Sequence, residues 1–366
     1  MTLRAALLSF AIVVAACSPA GAENYRIETF VEGLEHPWSI AFLPDGRKLV
    51  TERAGRLRLI EDGRLLEEPV RGVPQAYVRS QAGLFEVMLD PDYEENGWIY
   101  LSLAHGTARA NSTRVVRGRL EGHELRDVEV LFTSDPPRNT PVHFGGRMAF
   151  LADGTLVIGL GDGFNFREDA QRLENHTGTI VRINPDGSVP ADNPFLGRDD
   201  ALPEIYSYGH RNVQGLVFDR RSGRLWSHEH GPRGGDELNL ILPGRNYGWP
   251  VATFGVDYSG AMITPYTSRP GMEDPLVDWT PAIAPSGLAI YYGEQFPEWE
   301  GDLLVTGLVA REVRRVRLDG ERVVGEESLF GEIGERLRDV KVGPDGVLYI
   351  LTDQPQGRVL RVVAVR

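Results

Sequence analysis

The sequence predicts an all-β fold, a six-bladed β-propeller with four-stranded antiparallel blades. A phrase recurs along the chain: a short apolar strand, a turn with Asp-Gly or similar residues, and a second apolar strand. The six phrases begin at Ser39, Glu86, Arg147, Gly215, Gly287 and Asp339. Their spacings are 47, 61, 68, 72 and 52 residues. Gly-containing turns between apolar runs are the strongest short-range signal for hairpins, and repeats of this length are typical of propeller blades.

A second hairpin often follows the first, which gives four strands per blade. Such hairpins are predicted at 55–68, 113–132, 178–188 and 312–327. We expect 25–31 to pair with 358–365 and close the ring. Extra residues around 185–205 and 243–280 should form loops at the rim of the top face. A generic β-sandwich is the alternative, whereas a helical or α/β fold lacks the required 3.6-residue periodicity.

Composition narrows the class of protein. The chain has 366 residues, 42% of them hydrophobic, which is enough for a substantial core. The net charge of −13 provides no basic face for long nucleic acid. Cys17 is the only cysteine, so the mature domain has neither a disulfide nor a thiolate metal site.

Residues 1–22 are predicted to be an export signal, because Arg4 precedes an apolar run too short to span a bilayer. Two processing sites compete. Val14-Ala-Ala-Cys17 resembles a bacterial lipobox, which would place a lipid on Cys17, and Ala20-Gly-Ala22 fits cleavage before Glu23. Either route predicts a periplasmic protein, soluble or lipid-anchored to the outer membrane. Residues 23–366 would then form one catalytic propeller domain.

Candidate catalytic residues lie at strand starts or strand ends of different repeats. They are Gln81, His143, Asp162, Arg211, Asn212, Gln214, Arg336 and Arg338. Inner strands of a propeller start at one end of the central channel, so these side chains can converge there. Asp162 bonded to His143 would fix its tautomer and raise its basicity. Arg336 and Arg338, at i and i+2, would point the same way. The alternatives are a turn-forming Asp162 and surface arginines in salt bridges.

A second group of candidates occupies 229–249. It contains Glu229-His-Gly-Pro232, Gly234-Gly-Asp-Glu237 and Asn246-Tyr-Gly-Trp249. Glycine turns expose carbonyls, and carbonyls with carboxylates are the ligands that Ca²⁺ prefers. Zinc is disfavoured, because the histidines lack the usual spacing and there is no thiolate. The alternative is that the acidic residues only cap turns.

With these residues the chain resembles the soluble sugar dehydrogenases that depend on pyrroloquinoline quinone (PQQ), the glucose/sorbosone dehydrogenase family. It is most similar to their compact bacterial branch, the aldose sugar dehydrogenases. The resemblance runs from about Gly33 to Arg366. The motifs that carry it lie at 33–46, 81–93, 143–150, 176–195, 208–215, 229–239 and 336–346. GHRN-x-QG followed by EHGPRGGDE is the most specific pair.

The resemblance implies PQQ and Ca²⁺ as cofactors on the top face. His143 would take the proton from the anomeric hydroxyl while hydride passes from C1 of the sugar to C5 of PQQ. Asp162 would orient His143, and Arg211 would polarise a quinone oxygen. The other implied cofactor contacts are Gln81, Asn212, Tyr258, Arg336 and Arg338. The implied calcium contacts are the carbonyls of Gly231 and Pro232 and the positions of Glu237 and Tyr247.

Two positions depart from the family pattern. The family usually has a PQQ-binding lysine where this chain has Val309, and valine cannot bind a carboxylate. Strand geometry would place Arg311 on the same face, so Arg311 is predicted to substitute. His230 stands where the glucose enzyme has glutamine, so the substrate preference is expected to differ.

The sequence therefore predicts an exported quinoprotein that oxidises aldoses to lactones and passes electrons to an external acceptor. Two alternatives remain. One is a metal-dependent propeller lactonase or hydrolase, against which the arginines argue. The other is a non-catalytic propeller that binds a glycan or a protein, because fold alone does not settle function.

Overall fold

Six four-stranded antiparallel sheets surround a central axis in the computed structural model, which describes residues 25–365. The predicted all-β six-bladed propeller is confirmed. Blade 1 comprises β2 (Pro37–Phe42), β3 (Lys48–Glu52), β4 (Arg56–Glu61) and β5 (Arg64–Leu65). Blade 2 comprises β6 (Leu84–Leu89), β7 (Trp98–Gly106), β8 (Asn111–Glu121) and β9 (Glu124–Thr133). Blade 3 comprises β10 (Gly145–Phe150), β11 (Leu156–Leu160), β12 (Thr179–Ile183) and β13 (Ile205–Tyr208).

The remaining blades repeat this order from the axis outward. Blade 4 comprises β14 (Val213–Asp219), β15 (Arg224–Glu229), β16 (Asp236–Ile241) and β17 (Val277–Trp279). Blade 5 comprises β18 (Pro285–Ile290), β19 (Leu303–Gly307), β20 (Val313–Asp319) and β21 (Arg322–Leu329). Blade 6 comprises β22 (Leu337–Val342), β23 (Leu348–Thr352), β24 (Gly357–Ala364) and β1 (Tyr25–Leu34).

The first described strand closes the ring. β1 pairs antiparallel with β24, from Tyr25 opposite Ala364 to Leu34 opposite Gly357. The predicted pairing of the two ends is therefore confirmed. Blade 6 combines strands from both ends of the described chain, so the ring is held by main-chain hydrogen bonds.

Helical structure within residues 25–365 is confined to short connections. One α-helical turn, α1, covers Tyr93–Asn96. Three 3₁₀ segments cover Arg167–Gln171, Pro297–Trp299 and Gly331–Ile333. Within residues 25–365, no helix has the length and apolarity needed to cross a membrane. The predicted export signal, residues 1–22 with Cys17, lies outside the described residues.

The hydrophobic core is divided among the spaces between neighbouring blades. Every residue of β11, Leu156–Leu160, is buried, because a sheet in the ring is covered on both faces. Its alternate side chains enter the cluster shared with blade 2 and the cluster shared with blade 4. This explains why the inner strands have continuous apolar sequences. A separate apolar cluster, which includes Trp38, Phe85 and Phe144, lies where the inner strands of the first three blades begin.

The end of the propeller at which the inner strands begin is called the top face below, and the opposite end the bottom face. The segment between β12 and β13 lies on the bottom face, because Arg182 at the end of β12 binds Asp192 in this segment and Asp153 in the β10–β11 turn. The prediction that 185–205 forms part of the top rim is wrong. In an antiparallel blade the connection from the third strand to the fourth lies opposite the start of the first. The tight hairpin predicted at 178–188 is also wrong, since β12 pairs with β13 after this segment.

The other long segment, between β16 and β17, does reach the top face. It starts on the bottom face but returns beside blade 3, where Asn246 forms a bridge with Tyr208. The indole of Trp249 then reaches Asp162, directly after β11. The rim prediction for 243–280 is confirmed.

Arg147 of β10 lies on the axis and contacts each of the five remaining blades. Its guanidinium carbon lies 4.0 Å from the ring centroid of Trp38 in blade 1. The guanidinium nitrogens lie 3.5 Å from Glu86 in blade 2 and 3.1 Å from Asp339 in blade 6. They also donate to the carbonyls of Gln214 in blade 4, Ser286 in blade 5 and Arg338 in blade 6. Arg147 therefore ties together the strands directly beneath the top face.

Candidate active site

The inner strands of all six blades contribute to one central cavity on the top face. Its volume is about 200 Å³. It is lined by Trp38, Arg53, Gln81, Phe85, Phe144, Gly145, Asn212, Gln214, His230, Ala284, Leu308, Val309, Arg336, Arg338 and Asp353. Four of the predicted cofactor contacts are in this lining: Gln81, Asn212, Arg336 and Arg338. Cationic and amide side chains thus face flat aromatic surfaces across the cavity.

His143 and Asp162 are hydrogen-bonded, as the sequence predicts. Nδ1 of His143 lies 2.7 Å from Oδ1 of Asp162. The backbone of His143 has a φ of 53°, a strained value for a non-glycine residue, and its N–H donates to Oε1 of Gln81 at 2.9 Å. Arg138 donates to the carbonyl of His143 at 3.1 Å. These contacts fix the ring, with 6% of the side chain exposed.

Asp162 is itself held by two further donors. The indole nitrogen of Trp249 donates to Oδ2 at 2.9 Å, and the main-chain nitrogen of Phe164 donates to Oδ1 at 2.7 Å. Burial acts to raise the pKa of Asp162, but the hydrogen bond to His143 and nearby positive charge outweigh it and lower this pKa. The ionised carboxylate accepts a hydrogen bond from Nδ1–H of His143, so Nε2 carries the lone pair that can act as a base.

The basicity of His143 differs from the prediction. Burial lowers its pKa below the usual value of 6.5, and the hydrogen bond that it donates to Asp162 opposes this only in part. Arg211 and Arg138 add positive charge and lower the pKa of His143 further. The contact with Asp162 does raise the pKa of His143, as predicted. The predicted net increase in basicity is wrong, because the desolvation of His143 has the larger effect.

Arg211 lies beside this pair, since its carbonyl accepts from the N–H of Asp162 at 2.8 Å. Its guanidinium donates to the carbonyls of His230 at 3.0 Å and Gly231 at 2.5 Å, while its Nε is buried without a partner among the described residues. Tyr258 covers the same guanidinium, with 5.9 Å from its ring centroid to the guanidinium carbon. Arg211 and Tyr258 therefore form a wall of a neighbouring pocket, and neither is part of the central cavity lining.

Arg336 and Arg338 converge, as predicted from their spacing. Both donate to Oδ2 of Asp353, at 3.4 Å and 2.9 Å. His36 binds the other oxygen of this carboxylate at 2.9 Å. Burial acts to raise the pKa of Asp353, but the charges of the two arginines and the bond to His36 lower it far below its usual value. Asp353 thus remains ionised and holds both guanidinium groups at the cavity wall.

The prediction for Arg311 is wrong in its physical basis. β19 ends at Gly307 and β20 begins at Val313, so Val309 and Arg311 lie in the turn between them rather than on a strand. Val309 lines the cavity and is 61% exposed. Arg311, with a φ of 57°, instead directs its guanidinium to the carbonyl of Gly334. Strand alternation does not apply in a turn, so Arg311 does not reach the cavity lining.

The four predicted metal contacts fall into two groups. Gly231 and Pro232 line a lateral cavity that shares His230, Ala284 and Val309 with the central one. Glu237 is half-buried in β16, opposite Glu229 of β15. The hydroxyl of Tyr247 donates to the carbonyl of Leu240 and accepts from the N–H of Leu242, which leaves its main-chain carbonyl for a cation. Within residues 25–365, no group of three or more His, Cys, Asp and Glu side chains is arranged to hold a metal ion.

The sequence model of the glucose/sorbosone dehydrogenases matches residues 34–361. The chain belongs to the glucose/sorbosone dehydrogenase family. It is 40% identical to the aldose sugar dehydrogenase YliI of Escherichia coli over 94% of each chain. It is 27% identical to quinoprotein glucose dehydrogenase B of Acinetobacter calcoaceticus, over 91% of this chain and 86% of the relative. The PQQ-bound aldose sugar dehydrogenase of Streptomyces coelicolor matches 94% of this chain and all of its own, with a TM-score of 0.75 and 29% identity.

His230 is the second departure from the family pattern, and the structure defines its state. Its Nε2 lies 2.7 Å from the carbonyl of Pro285, so Nε2 carries the proton. Burial lowers the pKa of His230 well below 6.5, and the charge of Arg211 adds to this effect. A neutral ring with Nδ1 as an acceptor therefore separates the two cavities in this member of the glucose/sorbosone dehydrogenase family.

Some site residues were not predicted from the sequence, and two others, Trp249 and Glu229, were predicted only as members of the candidate calcium group. Trp38, Asp353 and Phe144 line the cavity, and Trp249 orients Asp162. Glu229 binds His210 and accepts from the N–H of Arg211. The sequence did contain a pattern that could have identified the acidic site residues. In four blades of this family member an acidic residue ends or follows the second strand. These residues are Glu52, Asp162, Glu229 and Asp353.

Proposed function

We propose that this protein is a PQQ-dependent dehydrogenase that oxidises the anomeric carbon of aldose sugars to lactones and transfers the electrons to an external acceptor. The observation that carries the proposal is the placement of the His143–Asp162 pair beside a cavity with several arginines. A hydrolase has no polyanion to hold with such a set. Family membership and the PQQ-bound relative support the same assignment.

The cavity suits an aromatic polyanion. Trp38, Phe85 and Phe144 offer apolar surfaces, and Arg336 and Arg338 offer planar donors for carboxylates. Asn212 uses its side-chain oxygen for the N–H of Gly145 at 3.2 Å, which leaves its amide nitrogen for a ligand. PQQ, a planar tricarboxylate, would supply the hydride acceptor.

A calcium ion fits one of the two predicted groups. Burial raises the pKa of Glu237 well above its usual value, and the neighbouring carboxylate of Glu229 raises it further. The Asn239 side chain donates to Glu237, and its own oxygen is buried without a partner among the described residues. A half-buried acid beside an orphaned amide oxygen is a donor set for a hard cation. The Gly231 carbonyl is engaged by Arg211, so a cofactor calcium at Gly231 and Pro232 would compete with that bond.

The side chains divide the proposed reaction between them. Nε2 of His143 would accept the proton of the anomeric hydroxyl, and Asp162 would stabilise the resulting imidazolium through Nδ1. Arg211 would polarise the acceptor oxygen from the wall formed with Tyr258. Tyr258 and Phe164 stack at 6.1 Å and would limit water at the reacting carbon.

The proposal is tested by adding PQQ and Ca²⁺ to the purified protein and offering aldoses with an artificial electron-accepting dye. Sugar-dependent bleaching that requires PQQ is the expected result. Hydrolysis of lactones without PQQ would identify a hydrolase instead. Thermal stabilisation by a sugar without turnover would identify a binding protein.

The pKa of His143 gives a test that does not depend on turnover. In the cofactor-free protein the imidazole should titrate below pH 6.5, so the base stays neutral at pH 6.5 and is lost only when the pH falls through the lowered pKa. Histidine NMR signals over pH 4–8 provide the measurement (about the range in which histidine titrates), with His143→Ala to assign the resonance. Titration above pH 6.5 would contradict the dominance of burial.

We also propose that the protein is exported to the periplasm, either soluble or with a lipid on Cys17. The support is the sequence of residues 1–22. Mass spectrometry of the mature N-terminus distinguishes a lipid on Cys17 from cleavage before Glu23. An unprocessed Met1 in the native host would contradict both forms.

A further inference from the structure

We propose that Arg53 binds a carboxylate of the anionic cofactor and supplies the positive charge that Val309 cannot. Arg53 follows directly after β3 in blade 1, and it lines the central cavity together with Val309, Arg336 and Arg338. The inference rests on the proposed function, because it needs a polyanion in this cavity. The motifs that the chain shares with its family do not include Arg53.

The guanidinium of Arg53 is available for a ligand. Arg336 donates to Asp353 and to the carbonyl of Leu308, and Arg338 donates to Asp353. Among residues 25–365, no acceptor or carboxylate forms a hydrogen bond or ion pair with the side chain of Arg53. Arg53 forms its hydrogen bonds within these residues through its own main chain, with His36 and Leu84. A cation at a cavity wall without a protein partner loses little by binding an anion.

The charge balance of the cavity also requires Arg53. The single carboxylate of Asp353 neutralises one of the two charges of Arg336 and Arg338. A tricarboxylate would then meet one net positive charge from this wall. Arg53 adds a second positive charge from the blade 1 side, whereas Val309 on the blade 5 side adds none.

The main chain of Arg53 is fixed, so its side chain starts from a defined point. Its N–H donates to the carbonyl of His36 at 3.1 Å, and its carbonyl accepts from the N–H of Leu84 at 3.3 Å. Gly83 packs against it so closely that a Cβ there would lie 1.9 Å from the carbonyl oxygen of Arg53. A positioned Arg can bind a carboxylate with less loss of side-chain entropy than a mobile one.

One acidic residue outside the cavity competes weakly for Arg53. The pKa of Glu35 is lowered chiefly by its hydrogen bond to Arg56, and Arg53 adds only a minor electrostatic contribution. Glu35 is 52% exposed and lies 2.7 Å from Arg56. Solvent screens such a contact, so it does not hold Arg53 away from a ligand in the cavity.

The test compares PQQ affinity among variants in the presence of Ca²⁺, measured by quenching of tryptophan fluorescence and by equilibrium dialysis, without substrate. Arg53→Ala should weaken binding about 10- to 100-fold, the value of one charge-assisted hydrogen bond. Arg311→Ala, which removes an equal charge outside the cavity lining, should leave the affinity unchanged. Val309→Lys should restore binding in the Arg53→Ala background, because it returns a cation to the lining of the same cavity from the other side of blade 6.

The outcomes separate the two proposals. If the unaltered protein does not bind PQQ, both the proposed function and the role of Arg53 are overturned. If it binds PQQ and Arg53→Ala binds equally well, only the role of Arg53 is overturned. A loss of affinity in Arg53→Ala together with an equal loss in Arg311→Ala would show a general effect of charge and would also overturn it. Unchanged melting temperatures confirm that the variants fold.

Discussion

Replacing His143 by alanine is expected to lower turnover of the PQQ-loaded protein about 10²- to 10⁴-fold, the contribution of a positioned general base. The affinity for PQQ should change little, because His143 is not part of the central cavity lining. Steady-state rates with an aldose and an electron-accepting dye, together with PQQ titration by fluorescence, measure the two effects separately.

Controls for this variant come from the same structure. Asp162→Asn should also lower turnover, because an amide in place of the carboxylate no longer favours the proton on Nδ1. His123→Ala should leave turnover unchanged, since His123 lies in the β8–β9 turn on the bottom face. Loss of PQQ binding in His143→Ala would contradict the role assigned to His143, and so would nearly normal turnover.

Replacing Arg147 by methionine is expected to lower the free energy of unfolding by about 3–5 kcal/mol, as for other buried ion pairs that lose one partner. Methionine keeps an unbranched stem, but the buried carboxylates of Asp339 and Glu86 would retain only Lys341 as a cationic neighbour, with its Nζ 3.0 Å from Glu86. Burial already raises the pKa of Asp339, and the charge of Arg147 opposes that increase. Guanidinium unfolding followed by fluorescence measures the change.

Arg182 offers a matched comparison on the bottom face. It is buried to a similar degree, but its partners Asp153 and Asp192 are 49% and 76% exposed. Water can solvate these carboxylates, so Arg182→Met should cost about 1 kcal/mol. Adding Asp339→Asn to Arg147→Met should recover part of the loss. Equal losses for Arg147→Met and Arg182→Met would show that the axial position has no special effect.

The fold could be predicted because its signals are local and repeated. Each inner hairpin has apolar strands around a glycine-containing turn, and that pattern defines blades regardless of the loops between them. The pairing of β1 with β24 was also predictable, since each end of the chain supplied an unpaired apolar strand. The position of the 184–204 segment was not, because length alone does not reveal at which end of a blade a connection lies.

The candidate site was predictable where strand starts carried several polar residues. Gln81, His143 and Arg211 precede inner strands and Asp162 follows a second strand, so all four lie at the same end of the axis. The prediction that Arg311 lines the cavity was wrong, because side chains in a turn do not alternate as they do in a strand. Asp353 was missed because a single acid after a strand has no local pattern that separates it from a turn former. Trp249 was placed in the candidate calcium group, and its bond to Asp162 was not predicted. Arg53 could be recognised as a candidate only from its place in the cavity lining.

The pairing of β1 with β24 also constrains how the protein folds. The two strands are separated by more than 300 residues, as the register of Tyr25 with Ala364 shows. Such a non-local contact forms late, because the intervening chain must first lose entropy. During synthesis β1 lacks its pairing partner until β24 leaves the ribosome, so β24 would join the assembly late. A protein shortened by that strand would expose two sheet edges, which favours association between copies.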